Sequence, residues 1–349
     1  MSHSQHKPIA IVGAGLMGRL LAWRLLRQGY KVTLFDKDLS GRQSAGFIAA
    51  AMISPISEAM AADIGLYHEG KKNLSIWQQW LTELNQVAKQ SIDFQFDGSL
   101  VVSHPQDKAL FDRFTLKLNQ LAIDTVDFAH CRPETREPEL AHFAEAIELL
   151  PEGYIDNVAL FSALKTVIDT LGGQWVEQCI DNTKEALPSD CSMVIDCRGM
   201  GAKKALPALR GVRGEILRVH APEVTLHRPI RFLHPRYQLY IVPRPKSEYV
   251  IGATQLESED TRQMTVRSAL ELLSALYSLH TGFAEAEIIS FSAGLRPAFL
   301  DNLPKIQETS QGLSLNGFFR HGYLLSPMFI EQTIQRISAT LLKTELTAC

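Results

Sequence analysis

Three glycines near the N-terminus have the spacing of a nucleotide-binding turn. Gly13, Gly15 and Gly18 form G-x-G-x-x-G between an apolar run at residues 8–12 and a helical pattern. In such a turn the first glycine permits the tight bend, the second lets the backbone approach a pyrophosphate, and the third lets helix and strand pack closely. The helix N-terminus then offers N–H groups and a partial positive charge to the phosphates. The spacing predicts a dinucleotide site.

A carboxylate follows at the position that suits a ribose. Residues 31–35 form a second apolar run that ends at Asp36, roughly 20 residues after the turn, where an acid can accept hydrogen bonds from ribose hydroxyls. Asp36 disfavours NADP because it would repel the extra phosphate, but the turn does not separate NAD from FAD. We expect Ala14 and Met17, inside the turn, to contact the cofactor as well.

The turn requires a βαβ unit to position it. The periodicity predicts a helix through Arg27, stopped by Gly29. Further helices are expected over residues 71–88, 157–171, 261–280 and 326–346. Strands are expected at residues 98–103, 174–180, 193–197 and 214–219, with a hairpin of 238–242 and 249–252.

Alternating helices and strands with a hairpin between the later blocks predict two kinds of sheet. We expect an α/β fold in which a Rossmann-type FAD-binding domain, a parallel sheet with helices, carries an inserted mixed or antiparallel substrate domain. The predicted FAD-binding domain is discontinuous, with segments 1–85, 145–212 and 290–349, and the substrate domain comprises 86–144 and 213–289.

Composition is typical of a globular protein with a sizeable core. The 349 residues are 46% hydrophobic and 21% charged, with a net charge of -3 and no basic stripe, so nucleic acid is not an expected partner. The Ala-rich stretch 47–62 contains Ser54, Pro55 and Glu58 and is too polar to span a membrane. Residues 1–7 lack the apolar core of a signal peptide, and we expect a cytoplasmic protein.

Other common catalytic arrangements are missing from the sequence. We find no Ser-His-Asp set, no paired catalytic carboxylates, no nucleophilic cysteine and no metal-ligand spacing among the eleven histidines. An odd number of cysteines without C-x-x-C favours reduced thiols. These cysteines are Cys131, Cys179, Cys191, Cys197 and Cys349.

Later segments resemble the D-amino acid oxidase superfamily of flavoproteins and, within it, the glycine oxidase branch. The motifs that carry the resemblance occur in the family's order along nearly the whole chain. They are SAGFIAAAMISP at 44–55, VIDCRG at 194–199, VRGEILR at 212–218, YIVPR at 240–244, IGAT at 251–254, GLRP at 294–297 and FRHGYLLSP at 319–327.

The chain departs from the family pattern at a few positions around the flavin and the substrate. Ala51 stands where the family usually has glycine, and His321 replaces an asparagine. Gln307 falls near an expected glycine, and Gln255 follows the Ala-Thr pair where an apolar residue can occur. The substrate and the oxidase activity therefore stay open at this point.

The resemblance implies FAD as cofactor and a set of residues that surround it. Small residues allow close approach to the isoalloxazine ring, and the N-terminus of the last helix is expected at its pyrimidine edge, where the dipole stabilises negative charge; the alternative there is ordinary helix capping by Ser326. Beyond the glycine turn and Asp36, the expected flavin contacts are Ser44, Ala50, Ala51, Met52, Gly199, Gly294, Arg296, Gly322, Tyr323 and Leu324.

Three residues are candidates for binding the substrate. Arg296 can hold an amino-acid carboxylate bidentately, and its alternative role is a structural salt bridge. Tyr240 can bind the same carboxylate or pack in the core. Arg320 approaches the substrate or the entrance, or serves a structural loop. No side chain is expected as catalytic acid or base, because flavin N5 takes a hydride from the α-carbon.

The expected reaction is oxidation of a small amine or amino acid. A glycine oxidase-like enzyme would use oxygen to convert glycine into glyoxylate, ammonia and hydrogen peroxide, and the imine would serve thiamine thiazole synthesis. The alternatives are a flavin dehydrogenase of D-amino acids or secondary amines with another acceptor, a flavin-binding protein that has lost catalysis, and an NAD-dependent dehydrogenase. A homo-oligomer is compatible with the sequence, which also leaves covalent attachment of the flavin undecided.

Overall fold

The computed structural model of the chain describes residues 7–88, 90–183, 191–236 and 238–348. Residues 1–6, on which the expectation about a signal peptide rests, and Cys349 lie outside the described residues. In the described part of the chain, Cys131, Cys179 and Cys197 are free thiols, as expected from the number and spacing of the cysteines.

The strands are short at the two ends of the chain and longer in its middle. In chain order they are β1 (Ile9–Val12), β2 (Val32–Asp36), β3 (Met52–Ile53), β4 (Phe94–Gln95), β5 (Ser99–Ser103), β6 (Phe128–Cys131), β7 (Ala146–Leu149), β8 (Gly153–Ile155), β9 (Gln174–Glu177), β10 (Met193–Asp196), β11 (Arg210–His220), β12 (Ile230–Leu233), β13 (Gln238–Arg244), β14 (Glu248–Gly252), β15 (Glu287–Ala298), β16 (Lys305–Thr309) and β17 (Gly312–Asn316).

The helices are amphipathic or buried segments that cover the sheets. In chain order they are α1 (Leu16–Arg27), α2 (Ala45–Ile48), α3 (Pro55–Ala61), α4 (Gly65–Val87), α5 (Lys108–Gln120), α6 (Asn157–Thr170), α7 (Val266–Leu279) and α8 (Gly322–Ala348).

A six-stranded sheet carries the glycine turn. Its order is β16-β17-β10-β1-β2-β9, and every neighbouring pair is parallel except β16 and β17. The central strand β1 is buried along its whole length, as expected for a parallel sheet covered on both faces. Helix α1 packs beside α6 and α8 on one face. The carboxyl end of β1 therefore lies in the middle of the row of strand ends. Doubly wound folds bind nucleotides beside the carboxyl ends of their strands.

A second, eight-stranded sheet faces the first. Its order is β15-β11-β14-β13-β12-β5-β7-β6, and it is antiparallel apart from the pairing of β5 with β12. The expected hairpin is present, because β13 pairs antiparallel with β14. Strands β3, β8 and β4 form a small third sheet.

These sheets confirm the predicted fold class, a parallel-rich α/β sheet with a mostly antiparallel one beside it. The predicted domain boundaries stay a prediction. Strand β7 and all but the first three residues of β15, which the prediction assigns to the FAD-binding segments, belong to the eight-stranded sheet.

Three helix boundaries differ from the sequence-based prediction. Helix α4 begins before residue 71, at Gly65. Helix α7 begins at Val266 rather than near residue 261, because the Thr265 side chain accepts a hydrogen bond from the Ser268 N–H and caps it. Helix α8 begins at Gly322, before the predicted start at Ser326. Ser326 is therefore inside the helix and does not cap it.

The Ala-rich stretch contains the end of the short helix α2, strand β3 and the short helix α3. Six residues of α3 are buried in the protein interior, including Ser57 and Glu58. Across the part of the chain that the structure describes, every helix is too short or too polar to cross a bilayer.

Candidate active site

The glycine turn has a geometry that side chains would break. Gly13 has φ +105°, and a Cβ there would lie 2.5 Å from the Cys197 carbonyl oxygen. A Cβ on Gly18 would lie 1.8 Å from the Gly13 carbonyl oxygen, so α1 could not approach the end of β1. Both positions therefore require glycine for reasons internal to the protein.

Gly15 differs from the other two glycines because space beside it is open. A Cβ at Gly15 would meet nothing closer than the Ser44 Cβ, at 3.5 Å. Gly15 is the N-cap of α1 and no side chain caps that helix end, so its first N–H groups face outward. An anion fits this helix terminus by charge and by hydrogen-bonding capacity.

Asp36 lies next to the turn, as the sequence predicts. Its Oδ2 accepts a hydrogen bond of 2.6 Å from the Ala14 N–H, and its Oδ1 accepts one of 3.1 Å from the Asp38 N–H. The carboxylate is partly exposed at the cavity wall. Its position suits contact with a ribose at the end of β2.

One cavity of about 1610 Å³ joins the glycine turn to the eight-stranded sheet. It is larger than the pockets of roughly 300–1,000 Å³ that hold drug-sized ligands, and its extended lining suits a dinucleotide together with a small substrate. Most of the sequence-predicted residues line it. They are Gly13, Gly15, Met17, Asp36, Ser44, Ala50, Ala51, Met52, Gly199, Tyr240, Gly294, Arg296, Arg320, Gly322 and Tyr323.

Three predicted cofactor contacts do not line the cavity. Ala14 is fully buried and reaches Asp36 through its backbone N–H. Gly18 packs against Gly13. Leu324 is buried against Gly70 of helix α4. These three residues support the cavity wall without lining it. Direct contact between them and the cofactor stays a prediction.

Arg296 extends across the eight-stranded sheet into the cavity. A Cβ on Gly214 would lie 2.2 Å from the Arg296 Nη2, so the guanidinium occupies the space that this glycine leaves free. Its two Nη atoms each donate 3.2 Å hydrogen bonds to the Thr254 carbonyl oxygen. Burial lowers the pKa of Arg296, which the nearby Tyr240 partly opposes. Among the described residues no carboxylate forms an ion pair with Arg296, whose partners are backbone carbonyl oxygens. Its role in substrate binding stays a prediction.

Tyr240 stands beside the same space. It pairs across the sheet with Gly252, and a Cβ on Gly252 would lie 2.8 Å from the Tyr240 hydroxyl. Burial raises the pKa of Tyr240, against the effect of Arg296 and Arg320, so the hydroxyl keeps its proton and can donate a hydrogen bond. Among the described residues none hydrogen-bonds to this hydroxyl.

Arg320 is held by Glu58, a residue that the sequence analysis used only to argue against a membrane span. The Arg320 Nε donates a 3.0 Å hydrogen bond to Glu58 Oε1, and the His321 Nδ1 lies 3.0 Å from Glu58 Oε2. Burial works to raise the pKa of Glu58, but Arg320 and then His321 outweigh it and lower that pKa to about 2. Gln255, one of the departures from the family pattern, accepts a 3.3 Å hydrogen bond from Arg320 Nη1.

The start of helix α8 is fixed by helix α4. Pro327 has no N–H, so the Tyr323 carbonyl oxygen lacks its usual helical donor. The Trp77 indole N–H replaces it with a 2.7 Å hydrogen bond, and the Asn73 amide donates a 3.0 Å bond to the Leu324 carbonyl oxygen. The Tyr323 hydroxyl in turn donates to the Gly46 carbonyl oxygen at 2.7 Å. The α8 N-terminus is thereby held at the cavity wall, where Gly322 contributes to the lining.

The small residues after α2 form part of the wall of the cavity that also holds the glycine turn and the candidate substrate-binding residues. Ala50 and Ala51 are buried at 3% exposure each and border the cavity. The Arg244 Nη2 donates a 2.7 Å hydrogen bond to the Ala50 carbonyl oxygen and fixes this segment. Sequence analysis missed Arg244 as a support, although it closes the YIVPR motif.

A metal has no evident place in this site. Across residues 7–88, 90–183, 191–236 and 238–348, no three His, Cys, Asp or Glu side chains come together as ligands.

Comparison with known proteins places the chain among flavoproteins. The family model described as FAD dependent oxidoreductase matches residues 8–336. The chain is 34% identical over 331 residues to a protein of Rhizobium etli named thiamine biosynthesis oxidoreductase ThiO, covering 94% of this chain and 96% of that one. It is 23% identical to a glycine oxidase of Geobacillus kaustophilus over 92% of this chain and 90% of the other. The crystal structure of glycine oxidase from Bacillus cereus superposes with a TM-score of 0.82, at 22% identity, over 95% of this chain and 97% of that one.

Proposed function

This chain belongs to the D-amino acid oxidase family of FAD-dependent oxidoreductases, and we propose that it binds FAD and oxidises glycine to an imine that yields glyoxylate and ammonia. One observation carries the proposal: a single cavity joins the glycine turn of β1 and α1 to Arg296, a partly buried arginine with no ion-pair partner among the described residues. The similarity to ThiO supports a place for the imine in thiamine thiazole synthesis.

The residues present fit FAD. Because Gly15 has no side chain, a pyrophosphate can approach the backbone there, and Asp36 can bind a ribose through its carboxylate. The small side chains of Ala50 and Ala51 leave space in the cavity for a flat ring. When bound, FAD supplies the acceptor for a hydride from the substrate α-carbon and passes the electrons on to oxygen. The α8 N-terminus would stabilise negative charge near Gly322 through its partial positive charge.

The chain's own residues bind and orient the substrate. Arg296 can donate two parallel hydrogen bonds to the substrate carboxylate, which fixes the position of the α-carbon. Tyr240 can donate a third from its protonated hydroxyl. Arg320, held by Glu58, adds positive charge on the side of α8. No side chain is assigned the removal of the α-hydrogen, so positioning is the main contribution of the protein.

Anaerobic flavin reduction tests this function. Purified protein should carry a yellow flavin that is identified as FAD after denaturation, and glycine should bleach it without oxygen. A panel of glycine, sarcosine and neutral D-amino acids ranks the substrates, and peroxide yield with and without an artificial acceptor separates an oxidase from a dehydrogenase. Protein that neither retains nor takes up flavin, or a bound flavin that no amine reduces, would contradict the proposal.

A further inference from the structure

Arg231 has a buried guanidinium at the same cavity, and no described protein group forms a hydrogen bond or an ion pair with it. Its exposure is 6%, and it borders the cavity that holds Arg296 and Tyr240. It makes no hydrogen bond and no ion pair within the described part of the chain, and its Nε is fully enclosed without a partner. The Nε atom is the only atom of this guanidinium that is both fully enclosed and without a partner. The two Nη atoms also have no partner among the described residues, so they are exposed to the cavity. A guanidinium has five N–H donors, and leaving them unused in the interior is costly.

The sheet places Arg231 directly beside Tyr240. The two residues are cross-strand partners of β12 and β13, so their side chains share one face of the sheet. Arg296 reaches toward the same place from β15, on the other side of Tyr240. With strands about 4.8 Å apart, the two arginines define separate anion positions rather than one.

The acids near Arg231 are already engaged elsewhere. Glu152 accepts hydrogen bonds from the Ser57 N–H at 2.7 Å and from the Ser99 hydroxyl at 2.7 Å. Glu58 is bound by Arg320 and lies close to His321. Burial is the largest influence on the pKa of Arg231 and lowers it. Glu152 and Glu58 raise that pKa by electrostatic attraction, without a hydrogen bond to the guanidinium.

The charges at this end of the cavity favour an acidic ligand. Arg231, Arg296 and Arg320 carry three positive charges, and Glu58 and Glu152 carry at most two negative charges, so this group has at least one positive charge in excess. Burial raises the pKa of Glu152, which works in the same direction. At equal protonation of the amino group, an amino acid with a second carboxylate carries one more negative charge than glycine or than its neutral counterpart. That additional carboxylate is the group that could bind the unpaired Arg231 guanidinium.

We propose that Arg231 binds a second acidic group of the substrate, so that amino acids carrying an additional carboxylate are oxidised in preference to their neutral counterparts. This rests on the proposed function, because it assigns a substrate class to the same site. The α-carboxylate binds Arg296, Tyr240 lies between the two positions, and the second carboxylate binds Arg231.

Matched substrate pairs test the assignment. We would measure kcat/KM for D-glutamate against D-glutamine and for D-aspartate against D-asparagine, with glycine as reference. The acidic member should be favoured at least about tenfold, which corresponds to one charge-assisted contact. In Arg231→Met this preference should fall to about one, and Arg231→Lys should retain part of it. Arg236→Met is the matched control, because Arg236 borders the same cavity but is exposed.

A measurement on the unaltered protein covers the case in which an Arg231 variant does not fold. Glutarate should inhibit glycine oxidation competitively and more tightly than butyrate, which has one carboxylate. Equal inhibition, or equal rates within each substrate pair while glycine is oxidised, would overturn the role of Arg231 and leave the proposed function intact. Stimulation of glycine oxidation by inorganic phosphate, without any preference for the acidic substrates, would assign Arg231 to a free anion and also overturn the proposal. Absence of flavin or of glycine turnover would contradict the proposed function itself.

Discussion

Gly214→Ala should displace Arg296, the arginine that we propose binds the substrate, without changing any other proposed substrate contact. The new Cβ would lie 2.2 Å from Arg296 Nη2 and 2.3 Å from its Cζ. Carbon and nitrogen atoms in ordinary contact are about 3.5 Å apart, so the guanidinium has to move by roughly 1 Å or more. A displacement of that size can cost on the order of 100-fold in rate. We expect kcat/KM for glycine to fall by about 10- to 100-fold, equivalent to about 1.4–2.7 kcal/mol.

Steady-state kinetics on the flavin-loaded protein, with the flavin spectrum as a check on folding, measures this effect. Gly211→Ala is the matched control on the same strand, because its Cβ would meet nothing closer than 3.1 Å, at Glu259 Cγ. That variant should retain most of the activity. If Gly214→Ala held its FAD and oxidised glycine as fast as Gly211→Ala, the position assigned to Arg296 in substrate binding would be wrong.

Further predictions concern the substrate contact, the glycine turn and the buried acid. Arg296→Ala should raise KM for glycine and cost about 2 kcal/mol or more in kcat/KM, while absorbance shows FAD still bound. Gly15→Ala should leave the thermal stability of the apoprotein nearly unchanged but weaken FAD binding in a titration, because its Cβ would meet only the Ser44 Cβ, at an ordinary contact distance of 3.5 Å. Gly18→Ala should lower both, because its Cβ would lie 1.8 Å from the Gly13 carbonyl oxygen. Glu58 has a pKa of about 2 against an ordinary 4.5, so it stabilises the fold above pH 4.5 and that stabilisation is lost as the pH falls toward 2. Urea unfolding from pH 5 to pH 2 should therefore show a smaller loss of stability in Glu58→Gln than in the unaltered protein, and equal slopes would contradict the pairing.

The parts of the fold that the sequence predicts well are those set by local spacing. The turn Gly13 to Gly18 and the acid at Asp36 lie within one βαβ unit, so their relation depends on a short stretch of chain. Helix α6 was predicted to within one residue of its C-terminus, since Asp156 caps its start and Gly172 follows its end. Such signals require no knowledge of tertiary contacts.

Contacts between residues far apart in the chain could not be predicted from the sequence. Glu58 meets Arg320 across 262 positions of sequence, and Trp77 meets the Tyr323 carbonyl across 246. The sequence offers weak hints of both: a charged residue inside an Ala-rich buried stretch, and a proline in the first turns of the last helix that leaves one carbonyl oxygen without a donor. Neither feature of the sequence identifies the residue that makes the contact, because strand order and helix packing determine which segments lie together.

Arg231 shows what the register of a sheet adds to a strand pattern. In the sequence it is one arginine between Ile230 and Phe232, and alternation alone assigns it to the face opposite to theirs. Only the pairing of β12 with β13 reveals that this face is that of Tyr240. A shift of the register by one residue would turn the guanidinium to the other face of the sheet.

The backbone conformation of Ala51 shows why the family usually has glycine at this position. Its φ is +49°, a region where a residue with a Cβ is strained by roughly 1–2 kcal/mol and glycine is not, which accounts for the glycine expected there. The Ala51 carbonyl oxygen accepts a 3.1 Å hydrogen bond from the Ile155 N–H, which holds the segment in this conformation. Its methyl group is buried in the cavity wall. Glycine would relieve the strain, but it would also remove a buried methyl group from the wall of the cavity.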